Sequence, residues 1–310
     1  MRRPTTGPRG ECMDESKPET TGEPWEVPES EEHAFAPKRS KYAACVFVIN
    51  EGERLTRQLE RMKPLSSRVD IIIADGGSTD GSVSPERLVP LGVNSLLVKR
   101  GPGKLAAQMR MALAYAIRRG YEGVIVIDGN DKDDPAAIPK FVRALDKGYD
   151  HVQGSRFLIG GRAVNTPPSR LLGIKLLHAP LISLAAGFHY TDTTNGFRAY
   201  SRRLLLDPRV APFRAVFSRY ELHYYLAIRS ARLGFKVCER PVTRAYPKGK
   251  VPTKISKFRG NLLVLQTLLY ACLQRYNPPA TVGAQEGNDG QRVDRSHRVR
   301  REQPRPRAKV

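Results

Sequence analysis

Residues Glu122–Pro135, EGVIVIDGNDKDDP, constrain the fold of this chain more than any other stretch. Val124–Ile127 is an unbroken run of Val and Ile with no polar alternation. Such a run forms a strand covered on both faces, as in the interior of a parallel sheet. Asp128 follows at the strand exit, then a glycine, then an acidic cluster ending in Asp134–Pro135. That last pair predicts the N-cap and first residue of a helix. A carboxylate where a buried strand emerges stands where open α/β sheets bind ligands. A hard cation and the phosphates it carries fit such a turn. Taken alone, the same residues read first as a solvated acidic loop.

The flanking sequence repeats the pattern. Tyr42–Ile49 and Val69–Ala74 read as strands, followed by Asn50-Glu51-Gly52 and by Asp75-Gly-Gly-Ser-Thr-Asp-Gly-Ser82. Glu53–Met62 has helical spacing, with Leu55 and Leu59 at i, i+4. Asn94–Val98 is a third strand. Gly101-Pro-Gly-Lys104 leads into Leu105–Arg119, whose alanines allow close packing on a sheet. Three strand–helix units and a fourth strand predict an α/β fold with a mostly parallel central sheet flanked by helices. Beyond Pro135 the pattern predicts a helix to about Leu145. A strand over Asp150–Gln153, helical stretches over Ser169–Ala186, Ser218–Leu233 and Gly260–Tyr276, and a strand over Lys236–Arg240 follow. Residues 1–40 and 278–310 lack periodicity and are rich in polar residues, Pro or Arg; they are expected to be disordered tails around a single domain over 41–277.

The formal net charge is +21. Residues 1–40 hold six Lys/Arg against nine Asp/Glu and residues 280–310 eight against four, so 41–279 carries 38 against 18. The excess belongs to the folded part and points to an anionic partner: phosphates, nucleic acid or an anionic membrane surface. No helix-turn-helix, zinc-finger or RNA-recognition signature accompanies it, so nucleic acid is not expected. Cys12, Cys45, Cys238 and Cys272 show no metal-ligand spacing, and Cys45 and Cys238 fall in strands as reduced core residues. This suits a cytoplasmic chain. No secretory leader is visible. Leu171–Phe188 is interrupted by Lys175 and His178, and Leu262–Leu273 is short, so no clear membrane span is expected.

Six motifs now stand in order: Asn50-Glu51, ADGGSTDGS, Gly103-Lys104 before an Ala-rich helix, IDGNDKDDP, GSRF and DTTNGFRAY. The set resembles the family 2 glycosyltransferases of GT-A fold, in particular the dolichyl- and polyprenyl-phosphate sugar synthases, over roughly residues 42–275. The resemblance implies an inverting transfer from a nucleotide-sugar donor to a phosphorylated or lipid-linked acceptor. It places Asp75 at the base of the donor nucleotide, with Asn50, Glu51 and Lys104 in the same pocket. Asp128 matches the first carboxylate of the DxD motif, which holds Mg²⁺ or Mn²⁺ on the donor diphosphate. A leaving diphosphate gains negative charge as the glycosyl bond breaks, and a divalent cation stabilises it.

The chain departs from the family pattern at two points. The second DxD position is Asn130, and Lys132 stands two further on. Either a weaker metal site uses Asp128, Asn130 and Asp131, or Lys132 partly replaces the metal. The usual paired carboxylates after the second strand are Asp75–Gly76 here, one short. In the acceptor half, Arg156 and Arg170 match by spacing two arginines that hold the acceptor phosphate, and Arg198 matches a further family position near phosphates. Guanidinium suits forked contacts with phosphate oxygens. A phosphate acceptor is already ionised and needs no strong base. A saccharide hydroxyl, the alternative acceptor, needs one, for which Asp192 and Glu221 are the candidates. A nucleotide-binding protein without turnover is the alternative of another class. The basic loop Lys248–Lys254 matches the family's donor-covering loop, and with Gly260–Tyr276 it suggests peripheral contact with anionic lipid on the cytoplasmic membrane face.

Overall fold

The computed structural model describes residues 25–247 and 259–279. The apolar runs form strands because only burial on both faces suits them: β2 (Tyr42–Val48), β3 (Asp70–Asp75) and β5 (Gly123–Asp128) are buried along nearly their whole length. With β1 (Ser30–Ala34), β4 (Val93–Lys99), β6 (His151–Ser155), β8 (Arg198–Ser201) and β9 (Val237–Pro241) they make an eight-stranded sheet in the order β1-β4-β3-β2-β5-β8-β6-β9. Strands β4, β3, β2 and β5 are mutually parallel, β9 is parallel to β6, and β1 and β8 run opposite to their neighbours. The chain steps from β2 outward to β3 and β4, then returns to β5 on the other side of β2. That reversal opens a crevice at the carboxyl ends of β2 and β5, the ligand position of open α/β sheets.

Side-chain alternation divides the core in two. Ala43, Cys45, Phe47, Val124 and Val126 face the Leu105–Arg118 helix. Ala44, Val46, Val48, Ile125 and Ile127 face the Glu53–Met62 and Ile138–Asp146 helices through Leu55, Leu59 and Phe141. The Leu105–Arg118 helix is buried from Ala106 to Ile117, because the sheet covers one side and Leu204, Phe213, Phe217 and Leu222 cover the other. Its alanines bring the backbone close to the strands, as their small size predicts. A third cluster, Ile182, Tyr190, Tyr224, Leu268 and Ala271, joins the Pro168–Ala186, Glu221–Arg232 and Arg259–Cys272 helices. Pro168–Ala186 contains a π turn at Ile174–His178 and is long and apolar enough to cross a membrane by length and composition.

The mostly parallel sheet and its flanking helices agree with the sequence reading. Residues 25–40 do not behave as a disordered tail: β1 pairs antiparallel with β4, and Arg39 and Ser40 donate backbone N–H groups to Asp70. Four of the five β1 residues are exposed, so the strand carries no apolar pattern to read. Residues 1–24 and 280–310 lie outside the described residues, as does the basic loop Lys248–Lys254. A second small sheet also escaped the sequence: β7 (Arg162–Val164) pairs in parallel with β10 (Thr243–Ala245).

Candidate active site

Asp128 ends β5 directly opposite Phe47 of β2. Gly129 lets β5 leave the sheet there, since a Cβ would stand 2.8 Å from Val48 Cγ2. Asn130 turns its amide back toward Asp128 (Nδ2 to Oδ2, 3.4 Å), and its Oδ1 accepts the Lys132 N–H at 3.3 Å. Asp131 sits at φ +60° and sends its carboxylate outward to Arg57 and Arg61 of the Glu53–Met62 helix. That places it outside the crevice lined by Asp128 and Asn130. Asp134 caps the next helical turn, accepting Ala136 N–H at 3.1 Å as its position before a proline predicts.

Asp133 and Arg244 form the buried floor. Arg244 reaches Asp133 with Nη1 and Asp128 with Nη2, the latter at 3.1 Å. Burial pushes the Asp133 carboxyl up to about 6, against the pull of the Arg244 guanidinium. Burial, then the Arg244 charge, holds the Lys132 ammonium below its ordinary value. Lys132 and Arg244 lie over the Tyr246 ring, and Arg170 donates to its hydroxyl at 2.9 Å. Burial alone would raise that phenol, but Arg244 and Arg170 together draw it below its usual value.

Asp128, Asn130, Lys132, Arg170 and Arg244 line a crevice of about 460 Å³ whose wall also includes Phe47, Gly76, Gly103 and Tyr220. Six cationic side chains line it, Arg54, Lys99, Lys104, Lys132, Arg170 and Arg244, against the carboxylates of Glu51 and Asp128. The resulting field favours a polyanion. A larger depression, about 590 Å³, lies around Glu122, Asp150 and Arg203 at the amino ends of the parallel strands. That is the opposite end from the crevice at the strand reversal, where open sheets take ligands.

The structure brings Glu51, Lys104, Asp128, Asn130, Lys132 and Arg170 together around the crevice. Glu51 pairs with Arg54 at 2.8 Å. Asn50 and Asp75 stand just behind and join two loops. The Asp75 carboxylate accepts Gly77 N–H, Ser78 N–H and the Ser78 hydroxyl, while Asn50 Oδ1 accepts Thr79 N–H at 2.8 Å. At Gly76 the missing carboxylate has a physical counterpart: a Cβ would press to 3.3 Å on Val48 O and 3.4 Å on Gln108 Oε1.

Four expected residues are placed elsewhere. Arg156 and Asp192 face each other in a bidentate pair at 2.7 and 2.9 Å, with side chains 1% and 0% exposed. Arg156 also donates to Thr194 Oγ1 at 2.8 Å. Freeing either group would strand a buried charge, so Arg156 is not an acceptor-phosphate ligand and Asp192 is not a base in this arrangement. Arg198 is buried and donates to the carbonyls of Asn195, Thr193 and His223, binding the loop to a helix rather than to phosphate. Glu221 opens the Glu221–Arg232 helix, where a carboxylate suits the positive end of the helix dipole, and it accepts Arg219 N–H at 2.7 Å from the turn before the helix.

Arg244, Tyr246 and Gln108 were missed. Gln108 left a signal, as a polar residue in an Ala-rich helix; its amide donates to Val48 O at 3.0 Å and to Ala74 O. Arg244 left none, because it reaches Asp128 only through a backbone bridge to Asp133, flanked by Asp134 N–H on Thr243 O and Ala245 N–H on Lys132 O, and no local pattern announces a partner more than a hundred residues away.

Residues 44–207, more than half of the chain, match the model of Glycosyl transferase family 2. The chain belongs to that family. This glycosyltransferase is 29% identical over 205 residues to the polyprenol monophosphomannose synthase of Mycolicibacterium smegmatis, covering 63% of this chain and 73% of that protein. It is 28% identical over 197 residues to the undecaprenyl-phosphate mannosyltransferase of Micrococcus luteus, covering 63% and 79%. In fold it is similar to glucosyl-3-phosphoglycerate synthase from Mycobacterium tuberculosis, with a TM-score of 0.55 at 20% identity over 74% of this chain and 80% of that one. The enzyme thus has the GT-A fold. One structure of that synthase was determined with Mn²⁺ and uridine diphosphate.

The donor set of this glycosyltransferase suits a divalent ion only as a shared site. Among the described residues no group of three or more His, Cys, Asp or Glu is placed to hold one. Asp128 is the sole carboxylate of the motif that faces the crevice, and Arg244 already meets one of its oxygens. Asp128 and the Asn130 amide oxygen are hard donors, and Mg²⁺ is commonly bound by one carboxylate together with substrate phosphates.

Proposed function

We propose that the enzyme transfers a sugar from a nucleotide-sugar donor to a polyprenyl-phosphate acceptor at a membrane surface. The observation that carries this reading is the cationic crevice at the strand reversal, lined by Asp128, Lys132, Arg244 and Arg170, the last of which donates to the buried Tyr246 hydroxyl. The donor diphosphate lies against Lys132 and Arg244, and Arg170 holds the acceptor phosphate. An ionised acceptor oxygen attacks the anomeric carbon, the bond to the diphosphate oxygen breaks, and the configuration inverts. No proton needs removal. This agrees with the removal of Asp192 and Glu221 from the crevice, and it favours a phosphate over a saccharide hydroxyl as acceptor. Charge growing on the leaving diphosphate is stabilised by Lys132 and Arg244, which are already oriented. A divalent cation, held by Asp128 and Asn130 with the diphosphate, would add charge stabilisation there.

The membrane part rests on the Pro168–Ala186 helix. Leu172, Leu176 and Leu184 are 60%, 69% and 79% exposed and recur on a four-residue spacing, the third after Pro180. Arg170 and Lys175 flank them, and residues 162–188 contain no Asp or Glu. An apolar stripe with cationic neighbours suits the surface of an anionic bilayer.

The test is incubation of the purified protein with UDP-, GDP- and dTDP-sugars and undecaprenyl phosphate. Glycosyl phospholipid should form together with one nucleoside diphosphate per sugar. Absence of both transfer and donor hydrolysis across that panel would end this reading. Anionic vesicles should bind the protein, and Leu176→Glu with Leu184→Glu should release it in a flotation assay. Equal flotation of the variant would remove the membrane part alone.

A further inference from the structure

The segment preceding the first parallel strand contacts residues that adjoin two stretches lining the crevice. Trp25 stacks on Phe213 with ring centroids 4.1 Å apart, beneath the Arg118 guanidinium at 5.3 Å. Glu26 accepts the Ala215 N–H at 2.6 Å. Further along, Glu29 O accepts both Arg100 N–H and Gly101 N–H, at 2.8 and 2.9 Å. Glu31 grips the Arg100 guanidinium with both oxygens, at 2.9 and 2.7 Å. Strand β1 then zips onto β4 from Lys99 to Ser95.

The two places held are the two that shape one side of the crevice. The end of β4 supplies Lys99 to it, the loop that follows supplies Gly103 and Lys104, and the stretch after Phe213 leads to Tyr220. The two walls also meet each other. Lys104 N–H donates to Ser218 O at 2.6 Å, and Ala106 N–H donates to Arg219 O at 2.8 Å. The loop is a poor scaffold by itself. It reads Arg100-Gly-Pro-Gly-Lys104, and Gly103 sits at φ +102°, where a Cβ would collide with Ala107 at 2.5 Å. A glycine-rich loop loses much conformational entropy when ordered. Ordering it before a ligand arrives strengthens binding.

We propose that Trp25–Ala34 is a strap that positions the donor pocket, so that its docking and nucleotide binding are thermodynamically coupled. The proposal rests on the crevice being the donor site. At Gly101 the strap leaves no room for a side chain: a Cβ there would lie 2.9 Å from Glu29 N and 3.2 Å from Pro28 Cβ. Its φ lies outside the left-handed region. Alanine at 101 therefore suits the loop backbone and wedges the strap away from it. Trp25→Ala loosens the other end. Glu31 and Arg100 are half exposed, so their ion pair adds register more than stability.

The experiment uses the full chain and the wedge variants Gly101→Ala and Trp25→Ala. UDP, GDP, dTDP and CDP are titrated by calorimetry, and amide exchange is followed over residues 25–34 and 99–104. Both variants should weaken the nucleotide that the wild type binds by about five-fold or more. Donor KM should rise while kcat and acceptor KM stay within about two-fold. Reciprocity requires that the nucleotide slow exchange across 25–34 in the wild type. Variants with a lowered Tm but unchanged nucleotide affinity would overturn the strap while leaving the donor site intact, as would unchanged exchange of the strap in the wild type. A wild type that binds none of the four nucleotides would overturn the donor assignment and the strap with it. Should Trp25→Ala not fold, Gly101→Ala and the wild-type exchange decide the matter.

Discussion

Arg244 joins structure to chemistry at a single residue. It compensates the fully buried Asp133, meets Asp128 and turns a cationic face to the crevice. Arg244→Ala should therefore act twice. Loss of charge at the leaving diphosphate should lower kcat about 100- to 1,000-fold, the scale seen when one preorganised donor is removed. An unpaired Asp133 should destabilise the fold by about 3–5 kcal/mol, less whatever is recovered as its carboxyl, already pushed up, takes a proton. Steady-state rates with urea melts separate the two, and wild-type kcat in the folded variant would remove Arg244 from the mechanism. The candidate site was partly legible at this scale. Asp128, Asn130, Lys132 and Lys104 follow strand ends, where a local pattern predicts a ligand side. Arg156 and Asp192 stand 36 residues apart and satisfy each other, and no local pattern distinguishes an arginine that meets a ligand from one that closes a loop.

Among the elements, the Leu105–Arg118 helix shows most plainly how composition becomes packing. Ala112 is fully buried among sheet and helix side chains. Ala112→Leu adds volume with no void to receive it and should cost about 1–3 kcal/mol. The same displacement would move Gln108 and Lys104 at the crevice, so donor KM should rise with the loss of Tm. A variant with wild-type Tm would show slack in this layer. Strands β2, β3 and β5 were legible because burial on both faces demands unbroken apolar runs. Strand β1 was not, because an exposed edge strand is held by backbone hydrogen bonds and tolerates SEEHA. Strands β7 and β10 have three residues each, too few for a period to show.

For the whole molecule, histidines shielded from water give stability a pH dependence. Burial, and then the Arg198 charge, hold His151 and His223 well below the ordinary imidazole value of 6.5. Below that pH the unfolded chain binds protons that the folded chain refuses, so stability falls as pH drops through about 6.5. Asp133, raised toward about 6, works in the opposite direction from its ordinary 3.8 up to that value. His178, also lowered by burial, adds to the histidine side, and Glu239, raised by burial, to the carboxyl side; three histidines against two carboxyls should leave Tm lower near pH 5.5 than near pH 7.5. His151→Phe should flatten the slope, and calorimetric melts with equal slopes for both proteins would contradict this. The amino-acid order by itself determined the parallel sheet, the strand-exit carboxylate Asp128, the helices behind it and the cationic balance. Each of these follows from local apolar period, turn chemistry or a count of charges. Only the tertiary structure decided which polar groups reach the crevice. It seated Arg244 beneath Asp128, turned Asp131 outward, locked Arg156 onto Asp192 and drew Trp25–Ala34 across the sheet edge. Those outcomes depend on partners dozens to more than a hundred residues apart, where burial makes an unpaired charge or N–H too costly to leave unmatched.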